Sequence, residues 1–132
     1  MADKDESSKS TALIAEDDAM IRELVSLYLD RMGYDVIEAS DGREAIEMIA
    51  DQEDDDLKLI VTDLMMPKAG GAEVVKSARS TGKCDKILII SGFTEDLKFL
   101  EQTIRDGSAF LKKPFTFDDF AAKVEGLQEM AS

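Results

Sequence analysis

The sequence predicts an α/β protein in which helices cover both faces of a parallel β-sheet, a doubly wound arrangement. Short runs rich in β-branched residues alternate five times with longer amphipathic segments, and strict alternation of this kind is typical of parallel sheets. Several of the short runs are apolar almost throughout, which indicates strands buried on both faces. The 132 residues, 44% of them hydrophobic, are enough for one domain with one core.

Five short segments have the composition of strands. They are TALIA (11–15), YDVIEA (34–39), LKLIVT (57–62), KILIIS (86–91) and AFLK (109–112). A segment long enough for a helix separates each strand from the next, and parallel neighbours need such a crossover. We therefore expect all five strands to lie in one parallel sheet.

The segments that follow the strands have the periodicity of amphipathic helices. Capping residues set their expected limits: the first ends at Gly33, the second starts at Asp41, the third runs from about Ala72 to Gly82, the fourth from Thr94 to Gly107, and the fifth starts at Thr116. In the first helix six apolar side chains are expected to face the core: Ile21, Leu24, Val25, Tyr28, Leu29 and Met32. The strand–helix units account for residues 11–130, and the polar, aperiodic residues 1–10 are predicted to be a disordered tail.

Composition excludes several classes of function. The net charge of −13 disfavours binding to nucleic acid or to an anionic membrane surface. The chain has no histidine, which excludes a Ser/His/Asp triad, histidine-ligated zinc and a phosphohistidine step within the chain itself. The single cysteine, Cys84, cannot form an internal disulfide and is interpreted as incidental. No window approaches the roughly 18 apolar residues of a membrane span, and the N-terminus lacks the apolar centre of a signal peptide, so we expect a cytoplasmic protein.

Acidic side chains are predicted to gather where two strands end. Asp63 directly follows the third strand in LIVTDLMMP (59–67), and Glu16 and Asp17 follow the first. The carboxyl ends of parallel strands lie at one edge of the sheet, where open α/β sheets bind ligands. Like charges about 4 Å apart repel by roughly 4 kcal/mol at an effective dielectric near 20, so the cluster needs a compensating cation or strongly raised pKa values. An all-oxygen ligand set favours Mg²⁺.

A simpler interpretation of these acidic residues stays open. Asp63 could be a turn residue, and Glu16 and Asp17 could merely precede a helix whose dipole favours negative charge. Two further strand ends favour the site, because the fourth strand ends at Ser91 and the fifth is followed by Lys113 before Pro114. A hydroxyl and an ammonium group would then lie at the same edge as the carboxylates.

Four segments together resemble the receiver domain of two-component response regulators. They are LIAEDDAMIREL (13–24), LIVTDLMMP (59–67), ILIISG (87–92) and FLKKPF (110–115), in the order of that family. The resemblance extends from about Thr11 to Met130. It implies a flavodoxin-like (βα)5 fold with a five-stranded parallel sheet in the order 2-1-3-4-5.

The resemblance also implies a role for each candidate site residue. Asp63 would be the phosphoacceptor, which takes a phosphoryl group from a phosphohistidine on a sensor kinase or histidine phosphotransfer protein. Glu16 and Asp17 would hold Mg²⁺ together with Asp63 and the backbone carbonyl of Met65. In this family the residue at the position of Lys113 pairs with the phosphoryl group.

Two further residues would transmit the signal. Ser91 would reach a phosphoryl oxygen after transfer, and Phe110 would change rotamer with activation. The bond before Pro114 would be cis, as it often is in the family. Phosphorylation would thereby change the surface that a downstream protein reads.

The resemblance implies a signalling phosphoacceptor and not an enzyme with a separate substrate. We expect output through protein contacts, as a monomer or transient dimer without direct nucleic-acid or membrane binding. Met1 favours a stand-alone protein, although a domain of a hybrid kinase stays possible. One alternative is a haloacid dehalogenase-type phosphatase, but that class needs a second aspartate where Met65 stands. The other is an interaction domain that keeps the fold without phosphorylation.

Overall fold

Five parallel strands form one sheet in the computed structural model, which describes residues 10–52, 57–66, 68–92 and 108–129. The strands are β1 (Thr11–Ala15), β2 (Asp35–Ala39), β3 (Leu57–Asp63), β4 (Ile87–Ser91) and β5 (Ala109–Lys112). They lie in the order β2-β1-β3-β4-β5, and all four neighbouring pairs are parallel. The predicted fold class and strand order are confirmed.

The described residues form four helices. These are α1 (Ala19–Arg31), α2 (Gly42–Asp51), α3 (Gly71–Thr81) and α4 (Phe117–Glu129). The helix predicted from Thr94 to Gly107 lies outside the described residues, as do residues 1–9 of the predicted tail. Ser10 was assigned to that tail, but its carbonyl accepts a hydrogen bond of 2.8 Å from the Asp35 amide. The described part of the chain therefore starts one residue before β1, where Ser10 contacts the first residue of β2.

The side chains of the central strands alternate between two apolar layers, as the period of a β-strand requires. One layer packs against α1 and α4 and contains Ala12, Ile14, Leu59, Val61, Leu88, Ile90 and Leu111. The other packs against α2 and α3 and contains Leu13, Ala15, Ile60, Ile87 and Ile89. Leu57 joins this second layer, because the register between β1 and β3 shifts next to it. Since β1, β3 and β4 are buried on both faces, their carboxyl ends are held rigidly at one edge of the sheet.

Local capping fixes the ends of the helices next to that edge. The Asp18 carboxylate accepts hydrogen bonds from the amides of Met20 and Ile21 at the start of α1, at 2.9 and 3.3 Å. The Asp41 carboxylate accepts one of 2.8 Å from the Glu44 amide at the start of α2, which confirms the predicted cap. Both helix starts are thus anchored directly behind the strand ends.

The outer face of α1 exposes apolar side chains. Leu24 was predicted to face the core, but it is 41% exposed, and Met20 and Leu27 are 81% and 59% exposed. The prediction was wrong because Val25 and Leu29 take the positions against the sheet, and Leu24 lies about 100° around the helix from Val25. Within the described residues, no helix combines the length and apolar character needed to cross a bilayer.

Cys84 belongs to the core and is not incidental to the packing. It is 7% exposed within the layer that contains α3, and burial raises the pKa of its thiol to about 11. We therefore expect the native thiol to react with iodoacetamide at pH 8 at least about 100-fold more slowly than in denaturing urea, because the thiolate is the reactive form. Equal rates under the two conditions would contradict this burial.

Candidate functional site

The strand register brings four chain positions together at the carboxyl edge of the sheet. Ala15 pairs with Thr62, so Glu16, the residue after β1, lies beside Asp63, the last residue of β3. On the other side, the Lys113 amide donates a hydrogen bond of 3.0 Å to the Ser91 carbonyl. The ends of β1, β3, β4 and β5 therefore meet in one small region, as the sequence predicted.

One ammonium group lies between two buried carboxylates. Lys113 Nζ is 2.9 Å from Glu16 Oε1 and 3.2 Å from Asp63 Oδ2. Glu16 and Asp63 are only 1% and 6% exposed, and the Lys113 side chain is 20% exposed. The peptide bond between Lys113 and Pro114 is cis, as the resemblance implied. Lys113, and not its exposed neighbour Lys112, is the lysine of the site.

Glu16 is held by three neighbours that leave one carboxylate oxygen available. Its amide donates to the Ala39 carbonyl at 3.1 Å, and its own carbonyl accepts from Arg22 Nη1 at 2.8 Å. Its Oε2 accepts a hydrogen bond of 3.1 Å from the Asp18 amide. Oε1 accepts no backbone hydrogen bond and instead lies 2.9 Å from Lys113 Nζ. A buried carboxylate oxygen of this kind can coordinate a cation or its bound water.

The pKa values of Glu16 and Lys113 both lie above their usual values, but for different reasons. Desolvation raises the pKa of Glu16 to about 7, although hydrogen bonds from Lys113 and Asp18 offset part of the effect and the Asp63 charge adds to it. For Lys113, desolvation lowers the pKa, but Glu16 and Asp63 outweigh it, so the pKa lies above its usual value. At neutral pH Lys113 is therefore charged, while Glu16 is partly protonated.

The raised pKa of Glu16 predicts a pH-dependent stability in metal-free buffer. Between the ordinary pKa of 4.5 and the folded value of about 7, the folded chain keeps a proton that the unfolded chain releases, so stability falls as pH rises through this range. Glu16→Gln cannot titrate. In urea unfolding with a chelator it should match the wild type at pH 5 and exceed it by up to about 3 kcal/mol at pH 8. A stability difference independent of pH would contradict the assignment.

The acidic cluster fits a divalent cation. Glu16, Asp17 and Asp63 each offer a carboxylate oxygen, and these atoms all lie within 4.8 Å of one another. Opposite ligands of octahedral Mg²⁺ are about 4.2 Å apart. The carboxylates would therefore complete an octahedral coordination sphere if they moved slightly closer together, or if a water molecule replaced one of them. Asp17 is exposed and opens the site to solvent. Among the described residues, the only ammonium group in contact with Glu16 and Asp63 is that of Lys113. A hard divalent ion would therefore find three carboxylate ligands and a net negative charge here.

The remaining predicted residues lie around this cluster. Ser91 is 1% exposed at the end of β4. Phe110 pairs with Ile89 on the neighbouring strand and is partly buried against the layer that contains α2 and α3, so it lies beside the site and not in it. Met65 is in the loop after β3, and its side chain is 58% exposed.

Sequence reasoning missed Arg22 and Asp18, which hold the backbone and side chain of Glu16. Asp18 could have been recognised as a helix cap. No pattern marks Arg22, because a charged residue on an amphipathic helix normally faces solvent.

A model of the response regulator receiver domain matches residues 12–125. The chain belongs to this family. As a receiver domain it is 33% identical over 115 residues to the response regulator MprA of Mycolicibacterium vanbaalenii, covering 87% of this chain and 48% of the relative. It is 35% identical over 115 residues to MprA of Mycobacterium ulcerans, with coverages of 87% and 48%. The receiver domain thus spans about half the length of these curated relatives.

Solved structures of receiver domains have the same fold. The receiver domain of the Francisella response regulator 1452 is 28% identical, with a TM-score of 0.75, and the match covers 90% of this chain and 96% of that one. The response regulator TrrA of Thermotoga maritima, solved in complex with Mg²⁺ and BeF, is 26% identical, with a TM-score of 0.76 and coverages of 89% and 98%.

Proposed function

We propose that this receiver domain accepts a phosphoryl group on Asp63 from a phosphohistidine of a partner kinase or phosphotransfer protein. The observation that carries the proposal is the buried Asp63 carboxylate at the end of β3, with Lys113 Nζ at 3.2 Å and two further carboxylates beside it. The domain then signals through protein contacts. It acts as a phosphoacceptor, and its chemistry is confined to gaining and losing its own phosphoryl group.

In the transfer step an Asp63 carboxylate oxygen forms a bond to phosphorus while the bond from phosphorus to the partner's imidazole nitrogen breaks. Glu16, Asp17, Asp63 and the Met65 carbonyl would hold Mg²⁺, which would supply neutralising charge for the phosphoryl oxygens. Lys113 supplies a second positive charge beside the accepting carboxylate. Because β1, β3 and β5 hold these groups in place, little rearrangement is needed before transfer.

The phosphoryl group changes the conformation of the domain by attracting the Ser91 hydroxyl. It brings up to two negative charges and three acceptor oxygens to the end of β3, and the buried Ser91 hydroxyl lies on the adjacent strand. Movement of that hydroxyl toward the phosphoryl group would free space next to β5. Phe110, which is only partly buried, would then change rotamer and alter the surface offered to a downstream protein.

The exposed apolar stripe on α1 supports a protein as the phosphoryl donor. Met20, Leu24 and Leu27 follow one another at spacings of four and three residues and so share one helical face. The stripe starts beside Asp18, next to the acidic cluster. A partner that packed on this face would bring its phosphohistidine to the mouth of the site, and exposed apolar patches commonly mark such contacts.

Titration with Mg²⁺ and beryllofluoride, followed by backbone amide NMR, tests the proposal. In the wild type we expect shifts at Asp63, Ser91 and Lys113 that extend to Phe110. Beryllofluoride without Mg²⁺, and both reagents with Asp63→Asn, should give no such response. A folded wild-type protein that does not respond to the two reagents together would instead favour an interaction domain that works without phosphorylation.

A further inference from the structure

The loop between β3 and α3 packs tightly against the strand that carries Asp63. The structure describes residues 64–66 and 68–70 of this loop. The Gly71 amide donates a hydrogen bond of 2.9 Å to the Leu64 carbonyl and so closes the loop. A Cβ on Gly71 would lie 2.6 Å from the Asp63 carbonyl oxygen, and one on Gly70 would lie 2.8 Å from that of Leu64. Backbone therefore contacts backbone on this side of the loop.

The N-terminus of α2 touches the other side of the loop. Gly42, the first residue of α2, is buried, and a Cβ there would lie 1.9 Å from the Ala69 carbonyl oxygen and 2.5 Å from the Ala69 carbonyl carbon. Both atoms belong to the backbone, so no side-chain rotation could relieve such a clash. Next to this contact, Lys68 Nζ lies 3.6 Å from Asp41 Oδ2.

The loop adopts a restricted conformation where it meets α2. Lys68 has a φ of +70°, in the left-handed region that residues other than glycine rarely adopt. Such a conformation persists where surrounding contacts determine it. The helix that provides these contacts is itself fixed, by the Asp41 cap and by packing of Ala45 and Ile49 in the core.

We propose that Gly42 is a positioning residue for the metal site: the close approach of its backbone to Ala69 sets the position of the loop, and thereby of the Met65 carbonyl. This inference rests on the proposed function, because it presupposes Mg²⁺ at Glu16, Asp17 and Asp63. A side chain at position 42 would displace the loop away from α2 and carry the carbonyl ligand with it. Only glycine allows the observed approach.

The test compares Gly42→Ala with Gly126→Ala. A Cβ at Gly126 would meet no atom within 4 Å, so the control makes the same chemical change in open space on α4. In a calorimetric titration with Mg²⁺ alone, Gly42→Ala should bind at least about 10-fold more weakly than the wild type, as expected for a lost or misplaced ligand. Gly126→Ala should bind as the wild type does. In metal-free buffer, the Gly71 amide should exchange its hydrogen faster in Gly42→Ala.

A second control separates positioning from general destabilisation. Val124 is 1% exposed in the layer on the opposite face of the sheet, so Val124→Ala should lower stability and leave Mg²⁺ affinity unchanged. Unchanged Mg²⁺ affinity in folded Gly42→Ala would overturn the inference.

If Gly42→Ala does not fold, it is combined with Lys68→Gly, because glycine suits a φ of +70° and lets the loop yield to the added methyl group. We expect this double variant to bind Mg²⁺ more weakly and to exchange the Gly71 amide faster, whereas Lys68→Gly alone, which keeps the contact between Gly42 and Ala69, should give wild-type values. Wild-type values in the double variant would overturn the inference. A wild-type protein that binds no Mg²⁺ would overturn the proposed function instead, and the two failures are therefore distinguishable.

Discussion

Asp63→Asn should fold with undiminished stability and yet lose phosphorylation by at least about 1,000-fold, because an amide does not replace a carboxylate as the nucleophile. The expected stability has an electrostatic origin. The Asp63 charge is one of the causes that raise the pKa of Glu16, so its removal relieves repulsion between two buried carboxylates. The variant therefore separates the chemistry of the site from the integrity of the fold.

Incubation with acetyl phosphate and Mg²⁺, followed by intact mass, measures this loss, and urea unfolding at pH 8 measures the stability. Asp85→Asn is a matched control, since Asp85 is exposed and precedes β4 at the opposite edge of the sheet. It should be phosphorylated as the wild type is. Phosphorylation of Asp63→Asn at an appreciable fraction of the wild-type rate would mean that another residue is the acceptor.

Lys113→Met should reduce the rate of phosphorylation by at least about 100-fold, which is typical for removal of one group that stabilises transition-state charge. The ammonium lies 3.2 Å from Asp63 Oδ2, where phosphoryl oxygens would gather. Lys112→Met is the matched control, because Lys112 is the exposed neighbour and should tolerate the same change. Equal phosphorylation rates in the two variants would show that Lys113 has no specific role in the transfer.

The stability of Lys113→Met should depend on pH in a way that identifies its partner. Below about pH 6 Glu16, whose pKa is about 7, is protonated, and loss of the cation should cost less than about 1 kcal/mol. At pH 8 the wild-type ion pair between Lys113 and Glu16 is formed, whereas in the variant Glu16 must either stay protonated or face Asp63 without the ammonium, so the loss should reach about 2 kcal/mol in chelator-treated protein. A cost that did not increase with pH would show that the ion pair with Glu16 contributes little.

Local sequence signals predicted most of the fold. The segments 11–15 and 109–112 form β1 and β5 with the predicted limits. These limits were predictable because short apolar strands end at polar or turn-forming residues. Asp41 and Glu44 predicted the start of α2, because a capping residue followed three residues later by glutamate is a local signal for a helix N-terminus. The acidic edge was predictable because the carboxyl ends of parallel strands all lie at one edge of the sheet. The close approach of Glu16 to Asp63 depends in addition on strand order, which places β1 next to β3.

Features that depend on three-dimensional packing were not predictable. Leu24 and Val25 are adjacent and both apolar, and only the rotation of α1 on the sheet decides which is buried. The raised pKa of Glu16 requires its near-complete burial, which composition does not indicate for a carboxylate. The approach of Gly42 to Ala69 brings the start of α2 against the loop between β3 and α3, and a glycine at the start of a helix gives no indication of a neighbour that is distant in sequence.

Reduction of the phosphorylated protein with borohydride tests the central claim most directly. Hydride converts an acyl phosphate on aspartate to the alcohol of homoserine and releases phosphate, so it marks the accepting residue permanently. After treatment with acetyl phosphate and Mg²⁺, peptide sequencing by mass spectrometry should find homoserine at position 63 and an unmodified aspartate at position 17. Homoserine at another position, or none in protein that binds Mg²⁺, would contradict the assignment of Asp63 as the phosphoacceptor.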